Sequence, residues 1–242
     1  MTKITFDYTI GGNKDKVYNE MISRMAIRDN IQQILNELPH YVQVVVVGKS
    51  RHPDEVLEAV KAGAKIIGEN FVHHAEWIYP FIKNKVKWHF IGHLQRNKVK
   101  KVVGLFDMIE SVGSIKIAEE IDKRSFQLGK VMPILVEINS GREKTKTGIF
   151  PEDAVLMIQK MATLQNVKVM GLMTIGPRFG NQEDSRKYFT QTKRLFDQLK
   201  ELSIPNADMK YLSMGMSNSY QIAIEEGANI IRIGTRIFSN AT

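Results

Sequence analysis

The sequence of 242 residues contains no cysteine. This absence excludes a disulfide framework, a thiolate nucleophile and thiolate metal ligands. The chain also lacks any apolar run near the length of about 18 residues that a membrane-spanning helix needs. Residues 1–8 do not contain the apolar core of a signal peptide. These absences predict a soluble protein of the cytoplasm.

Acidic residues are fewer than basic ones. The chain has 26 Asp and Glu residues and 34 Lys and Arg residues, which gives a net charge of +8. Such a balance favours anionic partners, which include phosphorylated small molecules, nucleic acids and acidic protein surfaces. The densest basic stretches, 83–87 and 96–101, lack the interleaved aromatic residues that single-strand binders use, and no other nucleic-acid motif is present. We therefore interpret them as solvated surface and expect neither a nucleic acid nor a membrane as partner.

The hydrophobic pattern alternates between strands and helices. Predicted strands lie at 42–48, 64–69, 87–92, 108–112, 132–139, 167–174, 210–214 and 229–234. Predicted helices lie at 53–62, 114–128, 184–202 and 218–226, with an extra helix within 13–38 ahead of the first strand.

Eight strand and helix units in about 250 residues match the size of a (β/α)8 TIM barrel. Periodicity leaves a doubly wound open sheet as the alternative, since both folds place parallel strands between helices. Hydrophobic residues make up 43% of the chain, and it has no linker or low-complexity segment. We therefore expect one domain over residues 1–242.

Lys49 follows the β-branched run 42–48, which is typical of a strand buried on both faces. Ligand sites of parallel α/β folds lie beyond the carboxyl ends of the strands. An amine at this position is a candidate for Schiff-base formation, because partial desolvation disfavours its ammonium form. The alternative is a lysine that packs its stem and keeps its charge in water.

Two late segments have the composition of a phosphate cradle, a name used below for residues 213–218 together with 232–235. The first, Ser-Met-Gly-Met-Ser-Asn, joins the seventh predicted strand to a helix, and the second, Arg-Ile-Gly-Thr, ends the eighth strand. Small residues let the backbone approach an anion, and a helix N-terminus supplies free N–H groups. Loops after strands seven and eight often bind phosphate in barrels. The alternative is that Gly215 and Gly234 only relieve crowding in turns.

Arg232 is the polar residue of the run 231–233, whose two isoleucines are expected to face the helices. Alternation along the strand then directs Arg232 into the barrel, where a buried guanidinium needs an acceptor. One candidate acceptor is a carboxylate on another strand, from Glu69, Glu110 or Glu137. The other is the ring nitrogen of a bound cofactor, which an arginine would leave unprotonated because it only donates.

An amine, a ring-nitrogen donor and a phosphate cradle together describe one ligand, pyridoxal 5'-phosphate. The histidines receive no comparable role. We interpret His73 and His74 as a surface pair on a helix. His89 and His93, on a strand and at its exit, are not spaced to share a metal ion. The sequence therefore predicts no metal site.

Short motifs carry a family resemblance along residues 20–240. They are Val47-Gly48-Lys49-Ser50, Gly68-Glu69-Asn70-Phe71-Val72, Trp88-His89-Phe90-Ile91-Gly92-His93-Leu94-Gln95, Asn97-Lys98, Ser140-Gly141 with Lys146-Thr147-Gly148, Gly171-Leu172-Met173-Thr174, Ser213-Met214-Gly215-Met216-Ser217 and Arg232-Ile233-Gly234-Thr235. In these motifs the chain resembles the YggS/PROSC family of pyridoxal phosphate homeostasis proteins. The resemblance implies the barrel domain of alanine racemase standing alone, usually as a monomer.

The resemblance also implies roles for individual residues. Lys49 would be the Schiff-base lysine, and Arg232 would meet the pyridine nitrogen. Ser217, Gly234 and Thr235 would hold the phosphate with help from the backbone before Ser217. The full set of predicted cofactor-binding residues is Lys49, Asn70, Ser213, Met216, Ser217, Arg232, Gly234 and Thr235. No catalytic residue is assigned.

The chain departs from the family pattern at several positions. Gly48 and Ser50 flank the lysine where the family commonly has serine and threonine, and Phe71 replaces a tyrosine. Ser219 stands near the position of a usual aspartate. Because serine can cap a helix, we expect the loop before it to keep its shape.

The resemblance implies a protein that carries pyridoxal phosphate and balances vitamin B6 and amino-acid pools, with cofactor-dependent apo-enzymes as candidate recipients. Racemisation needs acid and base groups on both faces of the substrate α-carbon. In alanine racemase the second base depends on another domain, for which a chain ending at Thr242 leaves no room. We therefore expect no robust catalysis. The alternatives are a weak amino-acid racemase and a barrel enzyme acting on a phosphorylated sugar.

Overall fold

The computed structural model describes residues 11–143, 146–176 and 181–239. Within those residues, eight parallel strands close into a barrel in sequence order. The strands are β1 (Gln43–Val47), β2 (Ile66–Glu69), β3 (Lys87–Phe90), β4 (Met108–Val112), β5 (Met132–Ile138), β6 (Val167–Thr174), β7 (Ala207–Ser213) and β8 (Ile230–Ile233). The pairing of β8 with β1 confirms the (β/α)8 barrel and excludes the open sheet.

Helices follow the strands and cover the outside of the barrel. They are α1 (Gly11–Glu37), α2 (Pro53–Lys61), α3 (Val72–Ile82), α4 (Val99–Leu105), α5 (Ile115–Gln127), α6 (Ala154–Met161), α7 (Arg186–Glu201), α8 (Tyr220–Glu225) and α9 (Thr235–Phe238). No helix in this described part of the chain has the length and hydropathy to cross a membrane.

The extra helix that the sequence predicted before the first strand is α1. It buries Ile27, Ile31 and Ile34, whose spacing of four and three residues places them on one face. Each such burial contributes about 1.5–3 kcal/mol. Asn30 also donates from its amide to the backbone oxygen of Ile237 at 3.0 Å, which ties α1 to α9.

The apolar residues form two clusters. The larger cluster lies between the strands and the helices, while the smaller one fills the barrel interior with Val45, Ile66, Ile91, Met108, Leu135, Met173 and Ile230. Alternation along the strands produces this division, since Val45 points inward while Val46 belongs to the outer cluster. Above the interior cluster, polar side chains line the carboxyl-terminal mouth.

Local signals set several boundaries. His52 and Glu55 form a reciprocal capping box at the start of α2, where Pro53 takes the first helical position. Several element ends differ from the prediction by one or two residues; α8, for example, begins at Tyr220 rather than 218. The largest difference is at β7, which begins at Ala207 rather than 210. Propensity rarely fixes element ends to better than a few residues.

Candidate functional site

A cavity of about 550 Å³ opens at the carboxyl ends of the strands. Its size falls in the range of small-molecule sites. The described residues that line it are Val47, Asn70, Ile91, Ile175, Met216, Ser217, Asn218, Arg232, Gly234, Thr235, Arg236 and Ser239. Six of the eight predicted cofactor-binding residues are among them. The exceptions are Ser213, which is buried beneath the cavity, and Lys49, which is exposed beside it.

The phosphate cradle has donors that converge on one point. The backbone N–H groups of Gly234 and Arg236 both donate to Ser217 Oγ, at 3.4 and 3.3 Å. These are long hydrogen bonds to a single hydroxyl that lines the cavity. Two backbone donors and one hydroxyl facing the same space form the donor set that a phosphate group needs.

The two glycines of the cradle are needed for different structural reasons. Gly215 has a φ of +92°, and a Cβ there would lie 2.5 Å from the Cβ of Ala223. Gly234 has no positive φ, but a Cβ would lie 3.2 Å from the Cβ of Val47 on the neighbouring strand. Glycine therefore allows the first loop to turn onto α8 and allows β8 to close tightly on β1.

Ser219 stabilises the cradle differently from the prediction. It occupies the N-cap position of α8 without making a side-chain cap hydrogen bond. Its hydroxyl instead accepts from the backbone N–H of Met216 at 3.3 Å. The expected cap was wrong, because the loop offers the hydroxyl a donor that lies before the helix.

Arg232 points into the barrel, as alternation predicted, and is only 5% exposed. Its Nη2 donates to the backbone oxygen of Thr174 at 2.8 Å, and its Nη1 donates to Ser213 Oγ at 2.5 Å. Ser213 in turn donates to Glu110 Oε2 at 2.6 Å. The guanidinium therefore reaches a carboxylate through a serine, while its remaining N–H groups are available at the cavity.

Glu110 completes a buried network that holds Arg232. Its second oxygen, Oε1, lies 2.6 Å from Nδ1 of His89. Burial alone would raise the pKa of Glu110, but hydrogen bonds from His89 and Ser213 and the charge of Arg232 hold it below its usual range. Glu110 is therefore the anion that balances the buried guanidinium. Of the three carboxylates predicted as candidates, it is the one linked to Arg232 by hydrogen bonds.

Lys49 lies in a turn formed by residues 48–51, called the Lys49 turn below. The N–H of Arg51 donates to the oxygen of Gly48 at 3.0 Å, and Ser50 has a φ of +62°. The ammonium group of Lys49 lies 5.7 Å from the ring centroid of Phe71. Lys49 as a whole residue is exposed, and its role in forming a Schiff base stays a prediction.

His74 is not the surface residue that the sequence suggested. Its side chain is only 12% exposed, and its Nδ1 lies 3.0 Å from Oε2 of the fully buried Glu69. Its Nε2 lies 3.1 Å from the backbone oxygen of Arg51. Burial raises the pKa of Glu69 to about 7, against the opposing effect of His74. His73, in contrast, is exposed.

Arg236 is a cavity residue that the sequence analysis missed. Its Nη1 donates to the hydroxyl of Tyr220 at 2.6 Å, and its Nη2 lies 3.3 Å from Oε2 of Glu37 on α1. It follows the last motif directly, so its position next to the cradle was a usable signal. The apolar wall residues Val47, Ile91 and Ile175 were also not predicted to line the site, although they lie in or next to motifs, because an apolar side chain there is equally typical of a barrel core.

A metal site would need several His, Asp or Glu side chains that face one point. Among the residues that the structure describes, no three His, Asp or Glu side chains come together as a metal site would require. His89 is instead paired with Glu110. The absence of a metal ion from the function stays a prediction.

The fold and site define a protein of the alanine racemase barrel class. The family model "Alanine racemase, N-terminal domain" matches residues 22–241. An alanine racemase of Clostridium difficile superposes with a TM-score of 0.75 at 18% identity, covering 89% of this chain and 57% of that chain, which supports the fold alone.

Two further comparisons narrow the class. A pyridoxal phosphate homeostasis protein of Aquifex aeolicus is 42% identical over 191 residues, which are 78% of this chain and 83% of that protein. The structure of PipY from Synechococcus elongatus with pyridoxal phosphate bound has a TM-score of 0.81 at 31% identity, covering 88% of this chain and 100% of PipY. The chain belongs to the family of pyridoxal phosphate homeostasis proteins.

Proposed function

We propose that this protein binds pyridoxal 5'-phosphate and carries it, in a role in vitamin B6 and amino-acid homeostasis. The observation that carries the proposal is the meeting of two donor groups in one cavity. The N–H groups of Gly234 and Arg236 converge on Ser217, and Arg232 lines the same space from below. This arrangement fits an anionic tail and a ring nitrogen of one ligand.

Each part of the site would have a separate task. The cradle would hold the phosphate, with Arg236 adding positive charge at its edge. Arg232 would donate to the ring nitrogen, since its other donors are already fixed by Ser213 and Thr174. The Lys49 amine would provide the covalent link to the aldehyde. When bound, the cofactor supplies an electron-accepting ring, which is weak when its nitrogen stays unprotonated.

The lining of the cavity favours a carrier over a racemase. Racemisation requires a base on each face of the substrate α-carbon. Among the described lining residues, none is a carboxylate, an imidazole, a phenol or an amine. Lys49, at the side of the cavity, would serve one face. A weak racemase activity is the second candidate function, favoured by the shared alanine racemase fold.

The first test measures the cofactor and its attachment point together. Purified protein loaded with pyridoxal phosphate is reduced with borohydride, digested and mapped by mass spectrometry. We expect the modified peptide to contain Lys49, and Lys49→Ala to lose the covalent adduct completely. Lys168→Ala, an exposed lysine on β6, is the control and should keep it. Attachment to another lysine would refute the proposal.

The second test separates the carrier from the racemase. Loaded protein is incubated with L-alanine, and D-alanine is measured by chiral chromatography over hours. We expect no D-isomer above the rate of free pyridoxal phosphate. Turnover that is fast, and lost in Lys49→Ala, would replace the carrier function with the enzymatic one.

A further inference from the structure

We infer that Glu69 and His74 form an anchoring pair that fixes both ends of the Lys49 turn and so positions the amine. The inference rests on the proposed function, because it concerns the residue proposed to carry the cofactor. Glu69 ends β2, and His74 lies in the first turn of α3. Neither residue lines the cavity, so the pair would act through the backbone of the turn.

The Lys49 turn needs support from outside. Ser50 adopts a left-handed φ of +62°, which costs energy for a residue other than glycine. Within the turn, the N–H of Arg51 donates to the oxygen of Gly48. An exposed lysine on such a turn would have little reason to keep one orientation, because its long side chain also retains rotamer freedom in water.

The entry of the turn rests against Glu69. Any side chain at position 48 would collide with Oε1 of Glu69, since an ideal Cβ there overlaps that oxygen. Gly48 is buried, and its N–H donates to the oxygen of Gly68 at 3.0 Å, the residue before Glu69. The backbone that leads into Lys49 is therefore packed directly on the carboxyl group.

The exit of the turn is bound by His74. The Nε2 atom of this histidine lies 3.1 Å from the backbone oxygen of Arg51. A carbonyl oxygen only accepts hydrogen bonds, so Nε2 must carry the proton. The edge of the ring of Trp77 packs against His74, with centroids 5.6 Å apart, and restricts its rotation.

The closeness of the two side chains limits which of their atoms can carry protons. With Nε2 protonated, a neutral imidazole presents a lone pair at Nδ1, which faces Glu69 Oε2 at 3.0 Å. A lone pair facing a carboxylate would be repelled, so either the carboxyl donates or the imidazole carries a second proton. The contact is close but not aligned as a linear hydrogen bond. In both states the pair is neutral overall, which permits its burial.

The anchored turn explains how an exposed amine is positioned. The ammonium group lies over Phe71, which directly follows the cavity residue Asn70. Glu69, Asn70 and Phe71 are consecutive, so one short segment supports the turn, lines the cavity and contacts the amine. The pair therefore couples the location of Lys49 to the wall of the cavity without burying the lysine.

The test combines backbone dynamics with cofactor release. Amide hydrogen exchange of the peptide over residues 48–52 is measured in protein without cofactor, and cofactor release from loaded protein is followed by absorbance with an aldehyde trap. His74→Phe should speed both by about tenfold, the effect of one lost hydrogen bond. His74→Gln should restore both to within about twofold of the starting protein, because an amide can donate to Arg51 O and accept from Glu69.

His40→Gln is the matched control, since His40 is exposed between α1 and β1 at the opposite end of the barrel. His74→Ala serves as a second variant if the phenylalanine prevents folding. Unchanged exchange in His74→Phe or in His74→Ala, or faster exchange with unchanged release, would overturn the inference. Failure of the unmodified protein to attach cofactor at Lys49 would instead refute the proposed function, and the exchange data would still test the anchor.

Discussion

Two buried carboxylates at the mouth of the barrel have opposite surroundings. Glu110 receives hydrogen bonds on both oxygens and balances Arg232, which keeps its pKa low. Glu69 is equally buried, but in the described structure neither of its oxygens has a well-aligned hydrogen-bond partner, and burial raises its pKa to about 7.

The difference shows how the site divides its tasks. On the side of β4, β7 and β8, charge is fixed, because a permanent cation and a permanent anion are joined through Ser213. On the side of β1 and β2, the charge of Glu69 can change near neutral pH, because burial raises its pKa to about 7 and His74 lies 3.0 Å away without an aligned hydrogen bond. The first side suits constant binding of the ring and phosphate, and the second suits control over the amine.

The largest effect is expected from removing the fixed anion. Glu110→Ala should lower the free energy of unfolding by about 3–5 kcal/mol, because Arg232 would keep a buried charge without its counterion. Urea denaturation followed by circular dichroism measures the change. Glu76→Gln, a carboxylate on the protein surface paired with Lys101, should change stability by less than about 0.5 kcal/mol. An equal loss in both variants would contradict the assigned role.

A smaller effect, with a defined pH dependence, is expected from Glu69. The folded protein holds its proton up to a pH of about 7, whereas the unfolded chain releases it near the ordinary value of 4.5. Between these pH values the folded state binds more protons, so this group lowers the free energy of unfolding as pH rises, by up to about 3 kcal/mol. Urea midpoints at pH 5 and pH 8 measure this slope.

Glu69→Gln should remove that part of the slope and make the protein relatively more stable at pH 8. Glu110, whose pKa is lowered, contributes in the opposite direction, since its stabilisation is lost as pH falls below the unfolded value. Because Glu110 titrates below this pH range, only the Glu69 substitution should change the slope between pH 5 and pH 8, which sharpens the contrast. Identical pH profiles for Glu69→Gln and the starting protein would show that this carboxyl titrates normally.

The smallest effect is expected from the serine that links the two fixed charges. Ser213→Ala should cost about 1–2 kcal/mol, because it leaves one Arg232 N–H and one Glu110 oxygen without a hydrogen bond while both charges stay in place. Thermal unfolding measures the loss. Thr163→Ala, an exposed hydroxyl after α6 at the opposite end of the barrel, provides the baseline. A loss as large as that of Glu110→Ala would mean that Ser213 is essential for charge balance.

Much of this arrangement could be predicted from the sequence. The alternation of Ile231, Arg232 and Ile233 placed the guanidinium inside, and the small residues after the seventh and eighth strands marked the cradle. These signals are local, because side-chain direction along a strand and the freedom of glycine depend on the chain itself.

The anchoring pair could not be predicted in the same way. His73 and His74 are neighbours on α3, yet the first is exposed and the second is largely buried. No side-chain cap marks where α3 begins, so the sequence did not show which of the two histidines faces the barrel. The partner of His74 ends the preceding strand, and its other contact is the backbone of a different loop. Likewise, the β-branched run before Lys49 predicted a buried strand. It did not predict that the turn after this strand is exposed to solvent.

The seam between the first and last strands has a consequence for biosynthesis. Val46 of β1 is in register with Ile233 of β8, although most of the chain separates them. The amine proposed to link the cofactor and the residues proposed to grip its ring and phosphate thus come from strands that are far apart in the sequence. A nascent chain that has not yet released β8 from the ribosome would have no complete pocket, so ligand capture would report that the ring of strands had closed.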